Sequence, residues 1–248
     1  MERIDDLNLN GKKIIQDTDS FLFGMDSVLL ANMIKEKNKV ILDLGTGSSV
    51  IPVIISQKTK GNIIIGIEVQ DKMYELAKKN VLYNNLQDEI FVYKEDLKNI
   101  NKIRENIFKL TNKEKVDVIV TNPPYKKIGT GTTNDVDEKY IARHEVLCTL
   151  EDIFKTASKL LKFKGKMYIV HKPERLVDLL EVARKYNLEA KKIRFMQPKK
   201  EMKPSIVLIE YVLGGGNECI VEPVLIEYDD DENYTDEILN IYKSKNNC

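Results

Sequence analysis

Four short apolar runs, at residues 40–44, 63–67, 90–93 and 116–120, constrain the fold of this chain more than any other feature. Each is rich in Val and Ile and shows no polar alternation, as expected of strands buried on both faces of a parallel sheet. Parallel neighbours need long crossovers, and the intervening segments supply them. Helices are predicted over residues 50–56 and 71–82, with a Lys/Asn-rich helical connection over 97–115. The pattern continues with a helix at 150–161, a strand at 166–170 and a helix at 173–186. Two final strands, 191–196 and 206–213, share a short link that suits an antiparallel pair. The chain is therefore α/β, a Rossmann-like sheet of seven mostly parallel strands with one antiparallel strand and helices on both faces.

In such sheets ligands bind at the carboxyl ends of the strands, so the residues just beyond each run carry the functional argument. Asp43-Leu44-Gly45-Thr46-Gly47-Ser48-Ser49 ends the first run, and its glycines let backbone approach a ligand closely. The third position of a dinucleotide fingerprint is Val50, which disfavours a nicotinamide enzyme. Glu68 ends the second run about 20 residues later, a spacing suited to a carboxylate that accepts both ribose hydroxyls of an adenosine. Asp96 follows the third run, placed for an adenine amino group or for a helix N-cap. Asp26 and Ser27 stand where an N-cap would open a helix over 28–34.

The fourth run ends at Thr121-Asn122-Pro123-Pro124-Tyr125. Asn122 offers a carbonyl acceptor, and the backbone of Pro123 offers a second with no N–H of its own. Two adjacent acceptors suit a planar NH2 group, and Tyr125 can stack on the flat group that carries it. Residues 126–140, rich in Gly, Thr, Asn and Asp, are expected to form a loop at the mouth of the site.

The chain resembles the bacterial tRNA1(Val) adenine-37 N6-methyltransferases, which use S-adenosylmethionine (SAM). The resemblance rests on residues 23–31, 43–48, 121–125, 142–145 and 171–176 and covers about the first 215 residues. It implies a class I methyltransferase fold with strand order 3-2-1-4-5-7-6. It also implies that Asp26, Asp43, Gly45, Gly47, Glu68 and Asp96 hold SAM, and that Asn122, Pro123 and Tyr125 present an adenine N6 amine. Pro124, Arg143 and His144 would then line the substrate side. Ser49 replaces the glycine common at that point of the turn. The alternatives that share the acceptor pair are a glutamine N5-methyltransferase and an rRNA guanine N2-methyltransferase. A SAM- or RNA-binding module without catalysis is the reading from a different class.

Charge is distributed unevenly within a chain of zero net charge. Residues 151–210 hold 15 Lys/Arg against 8 Asp/Glu, whereas residues 218–248 hold 2 against 9. The densest basic stretch, Lys191 to Lys203, makes Lys199 and Lys200 candidates for tRNA phosphates. Residues 1–213 are expected to form the catalytic domain, including an N-terminal arm over 1–27 with a hairpin turn at Asn10-Gly11. Residues 214–248 then read as an acidic tail. Three widely spaced cysteines indicate neither a disulfide framework nor a metal site, and no apolar run reaches the ~18 residues of a membrane span, so a cytoplasmic protein is expected.

Overall fold

The computed structural model of the protein describes residues 1–18, 22–124 and 148–242. The arm is a hairpin of β1 (Glu2–Leu9) and β2 (Lys12–Asp17), with Asn10 and Gly11 both at positive φ in its turn. Then follow α1 (Met25–Met33), β3 (Val40–Leu44), α2 (Val50–Lys58), β4 (Ile63–Glu68), α3 (Asp71–Tyr83), β5 (Ile90–Lys94), α4 (Ile100–Thr111) and β6 (Val116–Thr121). Next in the described chain come α5 (Leu150–Leu160), β7 (Leu161–His171), a 3-10 turn (Pro173–Arg175), α6 (Leu176–Lys185), β8 (Leu188–Gln197) and β9 (Ile206–Leu213). Two short strands, β10 (Ile220–Val221) and β11 (Leu225–Ile226), and a last helix, α7 (Asp236–Tyr242), complete the described residues.

The main sheet runs β5-β4-β3-β6-β7-β9-β8, the order expected, with β9 antiparallel to both neighbours. Alternation divides its side chains between two cores. Ile41, Ile64 and Val118 face the layer of α1 and α2, where Leu29, Leu30 and Ile54 are buried. Leu42, Ile65 and Ile119 face the opposite layer, with Ile103, Phe154 and Leu179. The chain crosses from β3 to one side and later returns to its other side through β6. A crevice therefore opens above β3 and β6, the switch point where such sheets bind ligands. Thr121 Oγ1 donates to the Leu44 carbonyl at 2.8 Å and ties the two strand ends together.

The acidic C-terminal segment does not hang free of the sheet. Short β10 and β11 add in parallel to the outer edge of β8, and Leu225 and Ile238 are buried against the hydrophobic core. Apolar residues spaced among the acids cause this docking, a signal that the charge count conceals. Helix α1 also starts earlier than the sequence suggests: Gly24 is the N-cap, and Asp26 and Ser27 lie inside the first turn. Among the described residues no helix is long and apolar enough to cross a membrane, and no group of three or more His, Cys, Asp or Glu is placed to hold a metal ion.

Candidate active site

Asp43 closes the buried run of β3 with no exposed surface, and neither carboxylate oxygen has a hydrogen-bond partner. Burial pushes its carboxyl up to about 7; the nearby Thr46 hydroxyl opposes that rise and the Glu68 charge adds to it. A buried acid without a partner is costly, so the site suits a ligand that brings a donor or a positive charge.

The glycine turn beyond it is shaped by backbone alone. Gly45 and Gly47 adopt φ of +74° and +55°. A Cβ built on Gly45 would meet no atom within 4 Å, so this face of the turn is open to a ligand. Ser49 shows why glycine is common at its position: it is fully buried at φ 64°, ψ 23°, the left-handed region that L-residues enter at a cost. Its conformation nevertheless starts α2 in the expected place.

Glu68 is buried at the end of β4 and serves the turn directly. Its Oε2 accepts the Gly47 N–H at 3.0 Å, and its Oε1 accepts those of Val69 and Gln70, both at 2.9 Å. A carboxylate has about four acceptor sites, so Glu68 has capacity for a further donor. Asp96, half-buried past β5, is not the N-cap of α4, which is Asn99. Its Oδ1 accepts the Lys98 N–H at 2.8 Å in the loop between them. An uncompensated acid, an open glycine face and a second strand-end acid thus line one crevice, and these groups fit the ammonium and the diol of SAM.

Across the crevice, the two prolines end β6 as expected, with Pro123 buried and Asn122 and Pro124 half-buried. Asn122 Nδ2 donates to Ser27 Oγ of α1 at 2.9 Å. Tyr125, Arg143, His144 and the 126–140 loop lie outside the described residues. His171, at the end of β7, is buried, and its imidazole is held down to about 4, chiefly by burial and then by the Arg175 charge. Its Nδ1 accepts the Lys172 N–H at 2.8 Å. The ring is therefore neutral at physiological pH.

The link between β8 and β9 rises at the same end of the sheet, since β8 runs parallel to β7 and ends at Gln197. Lys199 ion-pairs with Glu232 of the C-terminal segment at 2.7 Å. Arg194 pairs with Glu237 at 2.6 Å. Exposed Lys200 and Lys203 make no ion pair among the described residues. Part of the charge expected to meet phosphates thus has an acidic neighbour.

Sequence reasoning missed Asn80. This amide on α3 is fully buried, accepts the Ile15 N–H at 2.7 Å and donates to the carbonyls of Ile15 and Ser48. It joins the N-terminal hairpin to the glycine turn. Asn84, one helical turn on, accepts the Lys13 N–H and donates to the Lys13 carbonyl. Two asparagines at i, i+4 on an otherwise apolar helix face were the available signal.

Residues 24–195 match the methyltransferase small domain family. The tRNA1(Val) (adenine(37)-N6)-methyltransferase of Flavobacterium johnsoniae is 26% identical over 232 residues, 92% of this chain and 93% of that relative. A protein of the same name from Porphyromonas gingivalis is 26% identical over 170 residues; that match takes in 68% of this chain but only 64% of the relative's length. Among solved structures, a predicted O-methyltransferase from Agrobacterium tumefaciens shares the fold, with a TM-score of 0.69 at 17% identity over 89% of this chain and 98% of that one.

Proposed function

The chain belongs to the methyltransferase small domain family, and we propose that it is a SAM-dependent methyltransferase acting on the N6 amine of an adenine in tRNA. The target that its curated relatives' name suggests is adenosine 37 of tRNA1(Val), and a cytoplasmic location goes with that substrate. The observation that carries the reading is the Asn122–Pro123 corner standing across one crevice from Asp43 and Glu68. An amine holder and a cofactor cradle meet there.

SAM, when bound, supplies a methyl group already activated on a sulfonium. The protein's part is then alignment, which in favourable cases is worth about 7–11 kcal/mol. Asp43 and the Gly45–Gly47 turn hold the amino-acid end, with Asp26 beside them, while Glu68 and Asp96 hold the adenosine end. The Asn122 and Pro123 carbonyls accept the two N–H groups of the substrate amine and turn its lone pair out of conjugation. Tyr125 stacks on the base, which must be turned out of its loop to enter. Pro124, Arg143 and His144 border the base, and Lys199 and Lys200 meet RNA phosphates. No strong general base is needed, because the amine loses its proton after attack.

Labelled SAM incubated with total RNA and with total protein, followed by nucleoside analysis, tests the reading. Label in N6-methyladenosine is expected, whereas label confined to protein would favour the glutamine N5-methyltransferase that the same acceptors allow. Asn122→Ala should lose most transfer while cofactor affinity by calorimetry stays near that of the wild type. Wild-type turnover in that variant would refute the role of Asn122.

A further inference from the structure

Ser27 sits where the sequence suggests a helix cap, yet Gly24 fills that role. Its side chain, 3% exposed, instead engages the amide of Asn122, whose Nδ2 donates to Ser27 Oγ at 2.9 Å. The serine is itself fixed within the first turn of α1, its N–H donating to Asp26 Oδ1 at 2.8 Å. Helix α1 is buried over residues 26–31 against α2 and the sheet, so the hydroxyl is held by a rigid element.

An asparagine amide has two edges of nearly equal shape and opposite polarity. A half-turn of the terminal torsion exchanges them. For a substrate amine only the carbonyl edge is useful, because the NH2 edge would set donor against donor. With Nδ2 on Ser27 Oγ, the NH2 edge faces the helix and the carbonyl edge is turned away from it. We infer that Ser27 is a positioning residue for methyl transfer, holding Asn122 in the orientation that presents its carbonyl to the substrate amine. This rests on Asn122 being the amine holder. It adds to that reading a residue on a different element, 95 positions away in sequence.

The test is Ser27→Ala in the full chain, with two readouts. In steady-state transfer from labelled SAM to tRNA, kcat should fall roughly 2- to 13-fold, the factor set by one neutral hydrogen bond. The KM for cofactor and for RNA should not change, which a general loosening of the fold would not spare. In protein carrying 15N-labelled asparagine, without RNA, the Asn122 side-chain NH2 should exchange with water faster in the variant than in the wild type. That second measurement needs no turnover. If the wild type methylates no RNA but the exchange rates differ as expected, the proposed substrate fails and the tether stands. Unchanged exchange, a wild-type kcat, or a kcat and cofactor KM that shift together would overturn the inference.

Discussion

Replacing Asp43 by asparagine removes a charge that the cofactor-free protein holds at a cost. A tenfold change in proton affinity is about 1.4 kcal/mol. Displacing the carboxyl from 3.8 to about 7 thus costs about 4 kcal/mol once the group is ionised. The sign follows from proton uptake. Between those two values the folded protein keeps a proton that the unfolded chain has released, so stability falls as pH rises, then levels off above about 7. About half of the loss, ~2 kcal/mol, falls between pH 5.5 and pH 8. The substituted amide would be uncharged throughout, and a buried amide without partners costs about as much as a buried neutral acid. Melting curves of wild type and Asp43→Asn without cofactor should therefore diverge with pH. The variant should gain roughly 4–8 °C on the wild type from pH 5.5 to pH 8. SAM should raise the wild-type melting temperature and scarcely move the variant. Parallel curves across that range would show that Asp43 is hydrated and ionised at ordinary cost, and the argument for an uncompensated site would fall.

Glu68→Ala should weaken SAM binding by at least the roughly 1.5–3 kcal/mol of a charged-group hydrogen bond, because it also releases the Gly47 N–H. Calorimetry giving an unchanged Kd would remove Glu68 from the cofactor site. Lys200→Ala should flatten the slope of log affinity against log salt for tRNA by about 0.7–0.9, and Lys199→Ala by less, since a phosphate must first displace Glu232 from Lys199. Equal slopes in both variants and the wild type would place the RNA elsewhere. Asn80→Ala leaves the Ile15 N–H and two carbonyls without their partner, at about 1–3 kcal/mol for each buried group so exposed. Denaturant unfolding should show a loss of several kcal/mol together with weaker SAM binding, and a loss below about 1 kcal/mol would mean the hairpin does not brace the turn.

The strand order and the switch-point crevice were legible because each strand is a compact Val/Ile run with an acid at or near its end, as Asp43 within 40–44 and Glu68 directly after 63–67. These are local signals with a fixed period. The contact of Ser27 with Asn122, and that of Asn80 with both Ile15 and Ser48, join residues up to 95 positions apart. Ser27 has an ordinary local explanation as a cap, and nothing in its neighbours argues against it. The mode of action of Glu68 was hidden for a related reason. The spacing suggests a ribose ligand for this acid, but only the folded turn reveals that it fixes Gly47.

Zero net charge is a poor guide to a surface when the two signs are segregated in sequence and then folded together. The 214–242 segment brings its acids onto the basic edge of the sheet: Glu237 to Arg194, Glu232 to Lys199, and backbone carbonyls of 216 and 218 to Lys191. Exposed pairs of this kind contribute little stability, about 0–1 kcal/mol each, so their main effect is on the field around the catalytic end. Asp229, Asp230 and Asp231 stand exposed beside the β8–β9 link, because β11 delivers them there alongside Met196 and Gln197. A polyanion reaching this link therefore meets both signs, Lys200 and Lys203 beside the three acids. β8 lies three strands from β6 in the order β6-β7-β9-β8, roughly 14 Å at the ~4.8 Å spacing of paired strands. That is the reach of a few nucleotides, so a phosphate on Lys200 and a base at Asn122 can belong to one loop of RNA.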